Sequence, residues 1–200
     1  MVGLAAGRPQ FLTPPTVTAT FMAIPTRQIA LSRFVWKLNG LDSVPEIPKP
    51  FTLRAAGEQE TEDALHVVRS AYSLDPEWSG GRKHVEDVVL SRAARVLDSE
   101  PTCLFVLHGN RIIAASIYEV EPADGIHLTT GPCVLIEYRN RGIGGVLLAA
   151  TLAALRERGV REAVGQARPN TASAKFLCPK FGGQPVPPPP SEALPSARAA

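Results

Sequence analysis

The stretch Cys133 to Gly159, CVLIEYRNRGIGGVLLAATLAALRERG, decides how this chain is read. Cys133, Val134, Leu135 and Ile136 form a short apolar run that ends in a polar turn, as a buried strand does, and a helical pattern then runs unbroken from Ile143 to Arg158. Between them lies Glu137-Tyr138-Arg139-Asn140-Arg141-Gly142-Ile143-Gly144-Gly145. Gly142, Gly144 and Gly145 carry no Cβ to hold a ligand off the backbone, so successive N–H groups are free to converge on one oxyanion. The same N–H groups are unsatisfied at a helix N-terminus, where the macrodipole adds partial positive charge. Arg139 and Arg141 add two full charges. A diphosphate suits such a cradle.

Two plainer readings compete. Glycines before a helix often make only a tight turn, and paired arginines are often solvated surface; the conjunction of strand, arginines, three glycines and long helix weighs against both. A Rossmann dinucleotide loop would find its acid at Glu162, about twenty residues after Gly142. Its third glycine, however, falls at Leu147, and the motif comes too late in the chain for a multi-strand sheet to follow.

Arg139-Asn140-Arg141-Gly142-Ile143-Gly144 resembles the Arg/Gln-x-x-Gly-x-Gly/Ala signature of the GNAT superfamily of acyl-CoA-dependent N-acyltransferases. Ala163 to Asn170, then Ala174-Lys175-Phe176-Leu177 and Lys180-Phe181-Gly182, is similar to that family's next strand and the Asn-initiated helix after it. The resemblance implies an α+β fold of three layers, a mixed and mostly antiparallel central sheet with helices on both faces. It implies transfer of an acetyl (acyl) group from acetyl-CoA to a primary amine, on a small molecule or a peptide. The alternative is a non-catalytic module of the same fold that holds acyl-CoA for regulation or docking, because fold does not fix function.

Length and composition bound these readings. Two hundred residues with 44% hydrophobic and 20% charged residues and a net charge of +2 suit one domain with appendages. Nothing in that balance provides the concentrated basic face that nucleic acid requires, and no apolar run reaches the roughly 18 residues of a membrane span. Cys103, Cys133 and Cys178 are odd in number and lie at no metal-ligand spacing. A reducing cytoplasm suits them better than a disulfide framework. Self-association into a homodimer is compatible with all of this.

Prolines mark the boundaries: seven of 19 fall in residues 1–50 and six in 184–200. The reading is an N-terminal extension over 1–50, a catalytic domain over 51–183 and a Pro-rich tail over 184–200. The extension has no acid before Asp42, a bias that resembles an organellar transit peptide; the preferred reading is a poorly ordered extension, with Met22 as a further candidate start. Within it Gln28 to Leu38 is expected as a short helix, and Val44 to Pro50 as linker. Phe51 to Ala55 reads as a strand, Glu58 to Tyr72 and His84 to Leu97 as helices, and Thr102 to Leu107, Arg111 to Val120 and Gly125 to Ile136 as strands. His108-Gly109-Asn110 supplies a hairpin turn. After Gly183 only QPVPPPPSEALPSARAA remains, so the strands that close GNAT domains look shortened here.

The resemblance also distributes roles. Backbone groups of Cys133, Val134 and Leu135 would pair with the pantetheine arm. Arg139, Arg141, Gly142, Ile143, Gly144 and Gly145 would hold the diphosphate, and Asn170 would lie beside the cofactor or simply cap its helix. Acceptor-binding residues tend to lie in the loop between the first two helices, here Ser73 to Lys83 with Trp78, which equally well pins that loop to the core. For the general base the strand acid of some relatives is replaced by Gly165, which leaves His127, with an ordinary pKa near 6.5, and Glu119 or Glu121. For the general acid the usual tyrosine is replaced by Cys178, beside a Pro179 expected to interrupt the helix. No metal is implied.

Overall fold

The computed structural model describes residues 29–41, 43–100 and 102–187. Residues 1–28 of the expected N-terminal extension (1–50) and residues 188–200 of the expected Pro-rich tail lie outside them.

The helix expected over Gln28 to Leu38 is corrected to a strand, β1 (Ser32–Lys37), with Gln28 itself outside the described residues. Phe34, Trp36 and Leu38 are buried while Arg33, Val35 and Lys37 are less so, and that period of two belongs to a pleated strand. β2 (Phe51–Ala55), β3 (Cys103–His108), β4 (Arg111–Ile117) and β5 (Cys133–Val134) follow, then β6 (Glu162–Ala167) and β7 (Gln184–Val186). The hairpin between β3 and β4 turns at Gly109, with φ of +60°.

The strands make two sheets, β2-β3-β4-β5 and β6-β1-β7, each antiparallel throughout its named ladders. β1 sits between β6 and β7, paired with β6 along its whole length from Ser32↔Ala167 to Lys37↔Glu162. The packed unit therefore reaches past both expected boundaries. It draws its central strand from the supposed extension and a short closing strand from the supposed tail.

The single strand expected over Gly125 to Ile136 is broken. Leu128 bridges Tyr118 on one side and, in parallel, Gly165 of β6 on the other, so one residue joins the two sheets. Gly131, with φ of +64°, and Pro132 then interrupt the ladder before β5 resumes beside β4. Beyond Leu128 the neighbouring segments part, and a gap opens between β5 and the end of β6.

Helices cover both faces of the four-stranded sheet. α1 (Thr61–Ser73) buries Ala64, Val67, Val68 and Ala71. The run after it is α2 (Arg82–His84), a π turn (Val85–Leu90) and α3 (Ser91–Ser99), and it buries Val85, Leu90, Ala93, Val96 and Leu97 against Phe105, Ala115 and Ile117. On the other face lies α4 (Ile143–Glu157). Ile143 and Leu147 pack against Val106, Ile113 and Val134, and Leu148, Leu152 and Leu155 against Phe34, Trp36 and Ala163. Serving both sheets at once is why this helix is apolar nearly all round. The last helical segment is a π turn (Ser173–Leu177) continued by α5 (Cys178–Lys180). Pro179 lies in its first turn rather than ending the helix, because the widened turn before it needs no N–H from proline.

Candidate active site at the splayed strands

The gap between β5 and β6 is a cleft of about 250 Å3. Its walls are Thr130 to Val134 on one bank, Gly165 to Arg168 on the other, Trp36 from β1, and Tyr72, Asp75, Glu77 and Trp78 from the end of α1 and its loop. Tyr138, Arg139, Asn140, Ile143 and Gly144 bring the turn before α4 to the same cleft.

That turn is shaped as an anion cradle. Asn140 and Gly142 both take left-handed conformations, with φ of +61° and +81°. Among the described residues, no main-chain N–H from residue 140 to 144 donates to a main-chain carbonyl. Five amides are therefore free at the N-terminus of a 15-residue helix.

The backbone groups expected from Cys133, Val134 and Leu135 divide by strand parity. The Leu135 N–H donates to Ile113 of β4 at 3.0 Å, and Cys133 shares that edge in register with Ala115, so both are turned away from the gap. Val134 faces the gap, and its carbonyl is already taken by Arg139 Nε at 3.1 Å. Its N–H is what remains for a ligand.

Arg139 was expected on the diphosphate, and its side chain is committed elsewhere. Besides Val134 it donates from Nη2 to the Ala71 carbonyl at 3.0 Å and pairs from Nη1 with Asp75 Oδ2 at 3.0 Å. It is a three-way brace between β5, α1 and the following loop. Arg141 does not line the cleft; it donates to the Glu137 carbonyl at 3.2 Å, and its guanidinium lies 5.6 Å over the Tyr138 ring. Gly142 and Gly145 lie in the turn without lining the cleft, whereas Ile143 and Gly144 do line it. Asn170, with φ of +68°, neither lines the cleft nor caps the helix. The cap is Thr171, whose hydroxyl accepts from the Ala174 N–H at 3.3 Å.

The acid–base candidates fare worse. Glu119 is paired with Arg92, which also holds Asp124 and the Ile126 carbonyl, and that cluster lines a separate depression. His127 accepts the Val164 N–H on Nδ1 at 3.2 Å, outside the cleft lining, and burial lowers its pKa against the upward pull of Glu119 and Asp124. Both are corrections: strand parity and an arginine turn these residues to another part of the molecule. Cys178 does line the cleft, but burial pushes its thiol up to about 11.

The other two thiols, Cys103 and Cys133, are pushed up to about 12 for the same reason. Unfolded thiols ionise from about pH 9 while the folded ones keep their protons. The stability present in full below pH 9 is therefore lost progressively towards pH 11–12. The melting temperature should fall across that window, and Cys178→Ala should remove part of the fall.

Several cleft residues carried no signal in the sequence. Asp75 is tied to Arg139, and its Oδ1 accepts the Glu77 N–H at 2.9 Å, a cap that the Asp-Pro pair hints at. Glu77 Oε1 accepts the Ala172 N–H at 3.1 Å, and the Glu77 carbonyl accepts from Arg168. Gly165, standing where some relatives carry an acid, has a structural reason: a Cβ there would lie 3.1 Å from Trp36 Cζ3 and 3.2 Å from Leu128 Cβ. The indole occupies the place that a side chain at this position of β6 would take.

Residues 65–182 match the family model described as the acetyltransferase (GNAT) family. No curated protein sequence matches the chain. Among solved structures it is similar to a GCN5-related N-acetyltransferase from Sphaerobacter thermophilus, at 20% identity and a TM-score of 0.54, covering 78% of this chain and 48% of that one. An acetyltransferase from the GNAT family of Colwellia psychrerythraea gives 11% identity and a TM-score of 0.55 over 80% and 53%. A GCN5-related N-acetyltransferase from Kribbella flavida gives 19% and 0.50 over 77% and 53%. At such identities the likeness speaks for the fold, and the chain spans about half the length of each of these structures. No described helix is long and apolar enough to cross a membrane.

Proposed function

We propose, from the premise that this chain belongs to the acetyltransferase (GNAT) family, that it transfers an acetyl group from acetyl-CoA to a primary amine. The observation that carries this is the row of free amides from 140 to 144 beside a cleft whose bank offers the Val134 N–H. The row suits the donor's diphosphate, and the Val134 N–H suits an amide carbonyl of the pantetheine arm. Bound acetyl-CoA supplies a thioester carbonyl open to attack by an amine. This chain's residues hold the donor and set the amine against it; catalysis rests chiefly on proximity. Among cleft-lining carboxylates, Asp75 is tied to Arg139 and Glu77 to Ala172, so solvent carries the amine's proton away; as the C–N bond forms the C–S bond breaks, and the departing CoA thiolate takes a proton from solvent.

Calorimetric titration with acetyl-CoA, followed by thiol release in the presence of varied amines, tests the reading. A lack of binding sinks it. Arg141→Ala should weaken binding by a few fold at low salt and less at high salt, since its charge stands near the cradle but in solvent.

A second reading, a module that holds acyl-CoA without transfer, is favoured by one observation: His127 and Glu119, the residues with general-base chemistry, lie outside the cleft. Its signature is tight cofactor binding with thiol release no faster than in buffer.

A further inference from the structure

A second cavity of about 240 Å3 lies behind the cleft, lined by Ser73, Ser79, Arg82 and Val85 among others. Tyr72 and Trp78 line both spaces, so the two rings are a shared wall. We propose that Trp78 sets the size of the acceptor: it closes the second cavity to the cleft and restricts the native substrate to a primary amine carried on a slender, unbranched group. The inference rests on the acyltransferase reading above.

The wall is held in place from every side. The Trp78 ring meets Tyr72 edge-on, with centroids 4.7 Å apart and planes at 83°. His84 lies stacked beside it at 6.3 Å and 21°, and the Arg168 guanidinium sits 5.9 Å over it. A Cβ on Gly81 would lie 3.2 Å from Trp78 Cε3, so the backbone also presses against the ring. The short turn that carries it, Pro76–Trp78, is fastened to both banks. Asp75 ties it to Arg139 beside the cradle, and Glu77 ties it to Ala172 and Arg168 beyond β6. A ring so fixed acts as a wall rather than as a gate.

Chemistry assigns this wall to the acceptor. The free amides and the Val134 N–H account for the donor's diphosphate and amide groups, while two aromatic faces offer nothing to a diphosphate. They offer apolar contact to the carrier of an amine. Removing the indole would join the two spaces, and the enlarged pocket would accept a ring beside the amine.

The test uses n-butylamine and tryptamine as acceptors with the full chain, comparing wild type, Trp78→Phe and Trp78→Ala. Acetyl transfer gives kcat/KM, and calorimetry on the protein saturated with CoA gives amine affinity independently of turnover. Trp78→Ala should raise the preference for tryptamine over n-butylamine at least tenfold, with the acetyl-CoA dissociation constant within twofold of wild type. Trp78→Phe, which keeps a ring on Tyr72 and so guards against loss of the fold, should move the same ratio about threefold. A ratio unchanged within twofold in both variants overturns the proposal. So does loss of acetyl-CoA affinity in a folded variant, which would make Trp78 a donor contact, and so does failure of every protein to bind either amine. Failure of wild type to bind acetyl-CoA sinks the acyltransferase reading itself, and is a separate result.

Discussion

Gly144→Val is expected to weaken acetyl-CoA binding a hundredfold or more, about 2.7 kcal/mol, while the unliganded fold stays within about 1 kcal/mol of wild type. Gly144 is the second residue of α4 and has no left-handed φ, so a side chain there strains no backbone. Its Cβ would meet Val134 Cγ2 at 3.7 Å and Leu177 Cδ2 at 4.0 Å, both ordinary contacts. The first carbon fits, and the two methyl groups beyond it enter the cleft beside the free amides. Gly142 makes a poorer test, because its φ of +81° adds about 1–2 kcal/mol of strain to any replacement. Titration calorimetry with a melting curve on the same sample decides. A variant that melts early yet keeps its acetyl-CoA affinity would show that the glycine serves the turn.

Trp36→Ala should cost about 3–5 kcal/mol of folding stability, the largest loss expected from a single side chain here. The indole is 2% exposed and lies between two glycines: a Cβ on Gly165 would come within 3.1 Å of it and one on Gly183 within 2.7 Å. Those glycines have nothing with which to fill the space once the ring is gone. Urea unfolding of wild type and variant gives the difference, with the slope showing whether the native state has loosened. A loss below 1 kcal/mol would mean that β1 is an appendage after all. A chain starting at Phe51 makes the same point more harshly, since it lacks the strand between β6 and β7.

What the sequence made legible was local. The strand-turn-helix around Arg139 to Gly145, the apolar spacing in α1 and the turn at Gly109 each depend on neighbours a few residues away. β1 escaped because its partners, β6 and β7, come from the far end of the chain, and because Ile29, Phe34 and Trp36 fit a short helical pattern about as well as a pleated one. Arg139 looked like a charge waiting for phosphate. Its three acceptors come from Ala71, Asp75 and Val134, and no spacing in the sequence announces that they converge. His127 and Glu119 had suitable chemistry; only the bridge at Leu128 and the arginine at 92 show that they face elsewhere. Gly165 read as a missing acid and is a place made for an indole.

The insertion of β1 between β6 and β7 also sets an order of events in time. Loops of great length close slowly, and strands that pair across most of a chain are among the last contacts to form. During synthesis the residues of β1 leave the ribosome early and then wait, with Phe34 and Trp36 uncovered, until Glu162 to Val186 has followed. The four-stranded sheet has all its strands long before that. One bank of the cleft is therefore ready while the other is still being made, and the waiting aromatic strand is the segment most open to pairing with another chain.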